Sequence, residues 1–325
     1  MKRAILAFAS LFVCCLTLPL QAQEWPTRAM TMIVPFAAGG AVDVLGRALG
    51  AATADILGQQ IVIENVTGAG GMTGANRVAK STPDGHTFVL GSVGTHAQNQ
   101  TLYKHPAYDA IGEFEPVALV AELPLLLVTK KDLPPNDLQE FIAYAKANQG
   151  KLQFGSAGTG SAVHLGCVLF NAATGIQATH IPYRGGGPAM QDLVAGRIDY
   201  TCNIITSALP NVQSGQIKAL ATLAPRRTPL LPDLPTSQEQ GLANFDAGTW
   251  NMVLLPKGTP TAIVQKLNAA LSTALDQPAT RERLAKIGLD IPAKERRTPA
   301  YAAEFMASEI KKYEGPIKAA GIVIE

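Results

Sequence analysis

The stretch Met30-Thr31-Met32-Ile33-Val34-Pro35-Phe36-Ala37-Ala38-Gly39-Gly40-Ala41-Val42-Asp43-Val44-Leu45-Gly46-Arg47-Ala48-Leu49-Gly50 falls into three pieces. Residues 31–34 form a short apolar run rich in β-branched side chains, which reads as a strand. Pro35 cannot continue a ladder, and the Gly39-Gly40 pair lets the backbone turn with its amides exposed, so 35–40 is a loop. From Ala41 onward, Val42, Leu45, Leu49 and Ala52 fall on one side of a helix. A strand, a glycine loop and a helix N-terminus gather free N–H groups and a positive dipole end at one point, and such a point binds anions. The stretch contains neither G-x-G-x-x-G nor a P-loop, so it is not a nucleotide fingerprint. The expectation is a small carboxylate on the amides of Phe36, Ala37, Ala38, Gly39 and Gly40, with an ordinary β–α turn as the alternative. Asp43 falls in the first helical turn, where it either complements the dipole or touches the ligand.

A chain of 325 residues is long enough for two domains, and 47% hydrophobic against 16% charged residues supports a substantial core. The chain opens like an export signal. Lys2 and Arg3 are basic, residues 4–18 are apolar, and Leu20-Gln21-Ala22 is a cleavage site, so residues 1–22 are expected to be a signal peptide and the mature protein periplasmic. The formal net charge is +2; without Lys2 and Arg3, 25 of the 27 basic residues remain against 25 acidic ones. That balance argues against nucleic acid or an anionic membrane as the main partner. No later apolar run is long enough to span a bilayer. Cys14 and Cys15 fall in the signal, and Phe12-Val13 lacks the small residue that lipid attachment at Cys14 wants. Cys167 and Cys202 remain as an even pair in an oxidising compartment. A disulfide is expected, with two buried thiols as the alternative.

Further along, strands at 60–64 and 87–90 alternate with a helix at 73–80, which indicates an α/β unit with a largely parallel sheet. Glycine loops at 67–71 and 91–96 follow the strands; the second carries Ser92, Thr95 and His96. Ligands of such sheets collect at the carboxyl ends of strands. Residues 115–128 are strand-like, broken at Pro124, and read as a crossing into a second unit. There the opening pattern repeats: a helix over 137–148, a strand over 152–155, and a loop of small residues with Ser156, Gly158, Thr159, Gly160 and Ser161. A helix over 162–173 carries His164. A strand over 179–182 precedes a loop with Arg184 and Gly185, then a helix with Pro188 at its first position. A strand over 198–205 carries Asn203, and a last one spans 217–223. Residues 247–255 return the chain, and three helices close it, the last with an apolar stripe of Phe305, Met306, Ile310 and Tyr313. The expected division is residues 23–123 with 248–325 as one lobe and 124–247 as the other, with a cleft between lobes that close by hinge motion.

Several blocks of this sequence resemble one family. Val34-Pro35-Phe36-Ala37-Ala38-Gly39-Gly40 with Asp43 and Arg47 is similar to the first-loop signature of the Bug/TctC receptors, the extracytoplasmic solute-binding proteins of tripartite tricarboxylate transporters. Asn65 with Gly68-Ala69-Gly70-Gly71, Pro83-Asp84-Gly85, Gly155-Ser156-Ala157-Gly158 with His164, Pro182-Tyr183-Arg184-Gly185-Gly186 and Pro256-Lys257-Gly258-Thr259-Pro260 match further blocks in order. The resemblance covers essentially the whole mature chain. It implies an α/β type II periplasmic-binding-protein fold, with two lobes around a cleft joined by two crossover segments. It also implies small mono- or dicarboxylate ligands held by main chain and water, membrane transporter subunits as partners, and no catalysis. Many members carry an aspartate where this chain has Asn203, which makes the pocket less acidic and argues against a ligand with an amino group.

Against each candidate stands a plainer role. Ser156, Thr159, Gly160 and Ser161 offer hydroxyls and amides at a facing helix N-terminus, or simply cap it. His96 and His164 either meet the ligand or are satisfied structural histidines. Arg184 is a natural bidentate partner for a carboxylate, or pairs within its own loop. A β-branched side chain at Gly40 is expected to strain a glycine conformation and do more harm than loss of Arg184. No catalytic constellation is present: G-x-S-x-G is absent, the five histidines lack metal-ligand spacing, and H-E-x-x-H and C-x-x-C are missing. No metal or cofactor is expected, and the chain is expected to be a monomer. Competing readings are a ligand-presenting subunit for a membrane sensor kinase, and a periplasmic enzyme using His96 or His164 as a base.

Overall fold

The computed structural model describes residues 24–243, 245–321 and 323–324; the signal peptide expected over 1–22 lies outside them. The first apolar run pairs as it reads. β1 (Met30–Val34) lies parallel to β2 (Ile61–Asn65), from Met30 opposite Ile61 to Val34 opposite Asn65, and parallel to β3 (Thr87–Ser92) on its other side. Between them run α1 (Ala41–Leu57) and α2 (Met72–Ala79). After a wide turn at Gly94–Gln98 and the short α3 (Asn99–Leu102), β4 (Phe114–Leu123) completes the outward path.

Pro124 separates β4 from β5 (Leu125–Lys130), where the second lobe begins. It continues through α4 (Leu138–Ala147), β6 (Gln153–Ser156), α5 (Ala162–Thr174), β7 (Thr179–Pro182), α6 (Gly186–Val194), β8 (Tyr200–Ile204), α7 (Ile205–Gln213) and β9 (Ile217–Thr222). The chain then returns as β10 (Thr249–Pro256), every residue of which is buried, and closes with α8 (Thr261–Asp276), α9 (Pro278–Ala285) and α10 (Pro299–Ala319).

The strand orders are β2-β1-β3-β10-β4 and β7-β6-β8-β5-β9. Both sheets are mixed rather than largely parallel. β10 arrives from the opposite lobe and lies antiparallel to β3 and β4, and β5, likewise a crossing strand, lies antiparallel to β8 and β9. The βαβ units within each lobe keep the parallel pairs, as right-handed crossovers dictate. The architecture is that of two α/β lobes joined by two crossings.

Two local differences matter for the site. The apolar run 198–205 reads as one strand, but the strand ends at Ile204 and α7 starts at Ile205 with Pro210 inside it. The helix expected from Pro188 starts at Gly186, and Pro188 falls within its first turn, where its missing N–H costs nothing. Cys167 on α5 and Cys202 on β8 are bonded, with Cα atoms 5.2 Å apart. No helix among the described residues is long and apolar enough to cross a membrane.

Candidate functional site

The loop after β1 is held by side chains behind it. The Asp43 carboxylate accepts from the Gly39 N–H at 2.9 Å, from Arg47 at 3.0 Å and from Asn65 at 2.9 Å, and Asn65 also donates to the Phe36 carbonyl at 2.8 Å. Burial alone would raise the Asp43 carboxyl; the bonds from Arg47, Gly39 and Asn65 outweigh it and hold it below its ordinary value. The clamp commits Asp43 to the loop. Within the loop Gly39 takes the left-handed backbone, at φ +80, while Gly40 is extended at φ −80 and ψ 169. The strained glycine conformation expected at Gly40 is therefore found at Gly39.

In the second lobe three further helices start at strand ends. Ser161 caps α5 by accepting from the His164 N–H at 3.2 Å. α6 follows Gly185 and α7 follows Ile204, neither with a side-chain cap, and α1 likewise follows Gly40 uncapped. All four N-termini meet at one cavity of about 30 Å³. Its wall takes Phe36, Gly40, Ala41 and Val42 from the first loop and α1, and Ser92, Thr249 and Asn251 from β3 and β10. The second lobe gives Ala157, Ser161, Ala162 and Val163, then Gly186, and finally Asn203, Ile204 and Ser207. No side chain in that wall carries a charge. The Asn203 Nδ2 and Ser207 Oγ atoms are buried without a partner. Four dipole ends and several N–H groups converging on a shielded space favour an anion without any formal counter-charge.

The lobes close over this cavity. The Ala37 N–H donates to the Arg184 carbonyl at 3.1 Å and the Tyr103 hydroxyl to the Thr159 carbonyl at 3.2 Å. Gly70, at φ +61, presses its backbone on Thr159 and Gly160 and leaves no room for a side chain.

Of the residues singled out from sequence, Phe36, Gly40, Ser92, Ser161 and Asn203 line the cavity. Ala37, Gly158, Thr159, Gly160 and Gly185 lie in the contacts between the lobes. Ala38 and Gly39 are exposed, as is Arg184, which meets the first lobe through its carbonyl. Thr95 and His96 are fully buried behind Ser92: the His96 Nδ1 lies 2.8 Å from Thr95 Oγ1 and its ring packs on Phe114 and Tyr108. Burial pushes the His96 imidazole down to about 3. His164 accepts from the Gly160 N–H through Nδ1 at 3.3 Å and packs on His180, with ring centroids 4.1 Å apart. Burial first, and His180 beside it, push His164 down to about 3. Ser156 is fully buried, 2.6 Å from His180 Nε2, and also accepts from the Gly158 N–H. These bonds commit His164, His180 and Ser156 to holding the second-lobe loop, and His96 to packing within the first lobe.

Sequence reasoning missed Ser207, Thr249, Asn251 and Gly186. Ser207 sits in the first turn of α7, the helix hidden by Pro210. Thr249 and Asn251 are polar positions in the otherwise apolar run 247–255, which sets them apart but does not say what they face.

Comparison with known proteins agrees with this architecture. The family model described as the tripartite tricarboxylate transporter family receptor, TctC, matches residues 45–322. The chain is 35% identical to protein BugT of Bordetella pertussis over 320 residues, covering 98% of this chain and 97% of the relative. The structure of MatC from Rhodopseudomonas palustris with bound malate is 43% identical at a TM-score of 0.88, covering 90% of this chain and all of that one. An R. palustris protein with adipate is 35% identical at a TM-score of 0.87, covering 92% and 99% respectively. The chain belongs to the TctC family of tripartite tricarboxylate transporter receptors and is a solute-binding protein of that family.

Proposed function

We propose that the protein is a periplasmic receptor that captures a small organic carboxylate in the cavity between its lobes and delivers it to the membrane subunits of a tripartite transporter. The observation that carries this reading is the meeting of four helix N-termini on one cavity without a charged side chain, with the buried Asn203 Nδ2 unpartnered in its wall. The malate in MatC and the adipate in the R. palustris protein support the ligand class. The receptor acts as a monomer by binding and release, without catalysis. The moving units are residues 23–123 with 248–325, and 124–247. First-loop amides, Ser92, the Ser161 region and Asn203 hold the anion, with the Asp43–Asn65 clamp positioning the first loop.

Calorimetric titration of the purified protein with a panel of mono-, di- and tricarboxylates tests this. At least one is expected to bind with micromolar or tighter affinity, to raise thermal stability by mass action, and to be recovered unchanged. No binding across the panel, or conversion of the ligand, would overturn the reading. Retention of the transporter's membrane subunits on immobilised, ligand-loaded receptor tests delivery.

A further inference from the structure

The cavity wall is not uniform in what it can offer a ligand. Asn203 is fully buried and its Oδ1 accepts from the Ile204 N–H at 2.8 Å, so Nδ2 is the group left over. Ser161 Oγ accepts from the His164 N–H, which leaves its hydroxyl hydrogen to give. Ser207 Oγ has no partner and lies against the same α6 start as Asn203. The second-lobe side of the cavity therefore holds one committed amide donor and two hydroxyls with a hydrogen to give, which suits a carboxylate. Across from it, on β10, Asn251 is turned the other way. Its Nδ2 donates to the Gly91 carbonyl at 3.0 Å, so the group left over there is the Oδ1 acceptor.

Donors on the second-lobe side facing the fixed Asn251 Oδ1 acceptor, with the Ser92 and Thr249 hydroxyls beside it, fit a ligand with a carboxylate at one end and an O–H near the other. An ammonium group would also find an acceptor in Asn251. It would, however, be desolvated among four positive dipole ends with no carboxylate in the wall to balance it. Resting on the reading of this cavity as the ligand site, we propose that the protein selects hydroxy-carboxylates, with Asn251 Oδ1 receiving the ligand hydroxyl and Asn203 Nδ2 donating to a ligand carboxylate. A site that hydrogen-bonds a hydroxyl discriminates strongly against the analogue lacking it, because its own buried polar group is then left unpaired.

The test is calorimetric titration with matched pairs that differ by one hydroxyl: malate against succinate, lactate against propionate, and citrate against tricarballylate, with aspartate as the amino counterpart of malate. In at least one pair the hydroxy-acid is expected to bind about tenfold or more tightly, with aspartate undetectable. Asn251→Ala should collapse that ratio to about twofold, whatever its effect on absolute affinity; Asn203→Leu should weaken both members equally. The Asn251→Ala readout is a ratio within one variant, so a general loss of folded protein does not imitate it, and Asn203→Leu is compared only after its fold is confirmed by thermal unfolding. Deoxy-acids binding as well as their hydroxy partners, aspartate binding as well as malate, or an unchanged ratio in Asn251→Ala would overturn this assignment and leave the carboxylate reading standing. Failure of every carboxylate to bind would overturn both.

Discussion

The backbone N–H of Ala37 donates to the carbonyl of Arg184 at 3.1 Å, joining the loop after β1 to the loop before α6 across the cleft. That bond and the Tyr103–Thr159 bond link opposite lobes, so on the proposed hinge motion a ligand is expected to enter with both broken and to be enclosed as they reform. If the lobes hinge as proposed, these contacts are expected to set part of the affinity although the ligand never touches them.

Gly94 isolates that contribution. Its backbone lies outside the left-handed region, but a Cβ there would meet the Ala162 nitrogen at 2.9 Å and the Gly160 oxygen at 3.0 Å, both on the opposite lobe. Gly94→Ala is therefore expected to fold normally yet resist closure. With a carboxylate that saturates wild type, its affinity should fall about tenfold or more, and small-angle scattering should give a larger radius of gyration than ligand-loaded wild type. An unchanged affinity and radius would mean that closure does not bring these segments together.

The bond between Cys167 and Cys202 spans 35 residues, and cross-linking such a loop stabilises by about 4 kcal/mol in the chain-entropy picture. Titration of the unfolded, non-reduced protein should find no free thiol at these positions. Reduction, or the Cys167→Ser and Cys202→Ser pair, should lower the unfolding free energy by roughly 2–4 kcal/mol. Because the bond anchors the strand that carries Asn203 to α5, ligand affinity should fall as well; two titratable thiols in untreated protein would contradict the pairing.

How much of this was legible follows from how local each signal is. The apolar 31–34, Pro35, the glycine pair and the helical spacing after Ala41 are contiguous, and they give β1, its loop and α1 almost residue for residue. α7 was not legible because the apolar character of 198–205 runs unbroken across the strand–helix junction, and Pro210 argues against a helix. The β10 wall was hidden for a different reason. Asn251 bonds Gly91, 160 residues earlier, and nothing local to 247–255 says which loops a returning strand will face. Thr95 and His96 sit in a legible loop, yet the wide turn that starts at Gly94 sends them into the core while Ser92 stays on the cavity wall.

Acid should weaken the fold through its buried histidines. The His96 and His164 imidazoles are held near 3, well below the value of about 6.5 in an unfolded chain. Above about pH 6.5 neither state takes up a proton there, so stability is flat. Below it the unfolded chain binds protons that the folded one excludes, and stability falls by about 1.4 kcal/mol per pH unit per histidine until the folded value is reached. His180, pushed down to about 4 but partly exposed, adds less. His164→Asn can keep an acceptor near the Gly160 N–H without titrating. Denaturant unfolding at pH 7 and pH 5 should show a loss about 2 kcal/mol smaller in that variant than in wild type. Equal losses would show that His164 is already protonated in the folded protein at pH 5.

Helix-terminal amides, and not an arginine, should supply the affinity for the anion. Arg184 has an exposed side chain outside the cavity wall, and its link to the first lobe is its carbonyl, which any residue supplies. Arg184→Ala should therefore bind the ligand within about twofold of wild type, and wild-type affinity should change little with salt, since screening acts mainly on exposed charges. Gly40 is the opposite case. At φ −80 it tolerates any side chain in its own backbone, but a Cβ there points at Ala37 O at 3.4 Å and at the Gly187 and Gly186 nitrogens at 3.8 and 3.9 Å. The methyl groups of Gly40→Val would stand between the first-loop amides and the start of α6. That variant should fold with near wild-type stability, yet bind about tenfold or more weakly by calorimetry. Loss of binding in Arg184→Ala, with normal binding in Gly40→Val, would assign the anion to the arginine and remove the helix N-termini from its recognition.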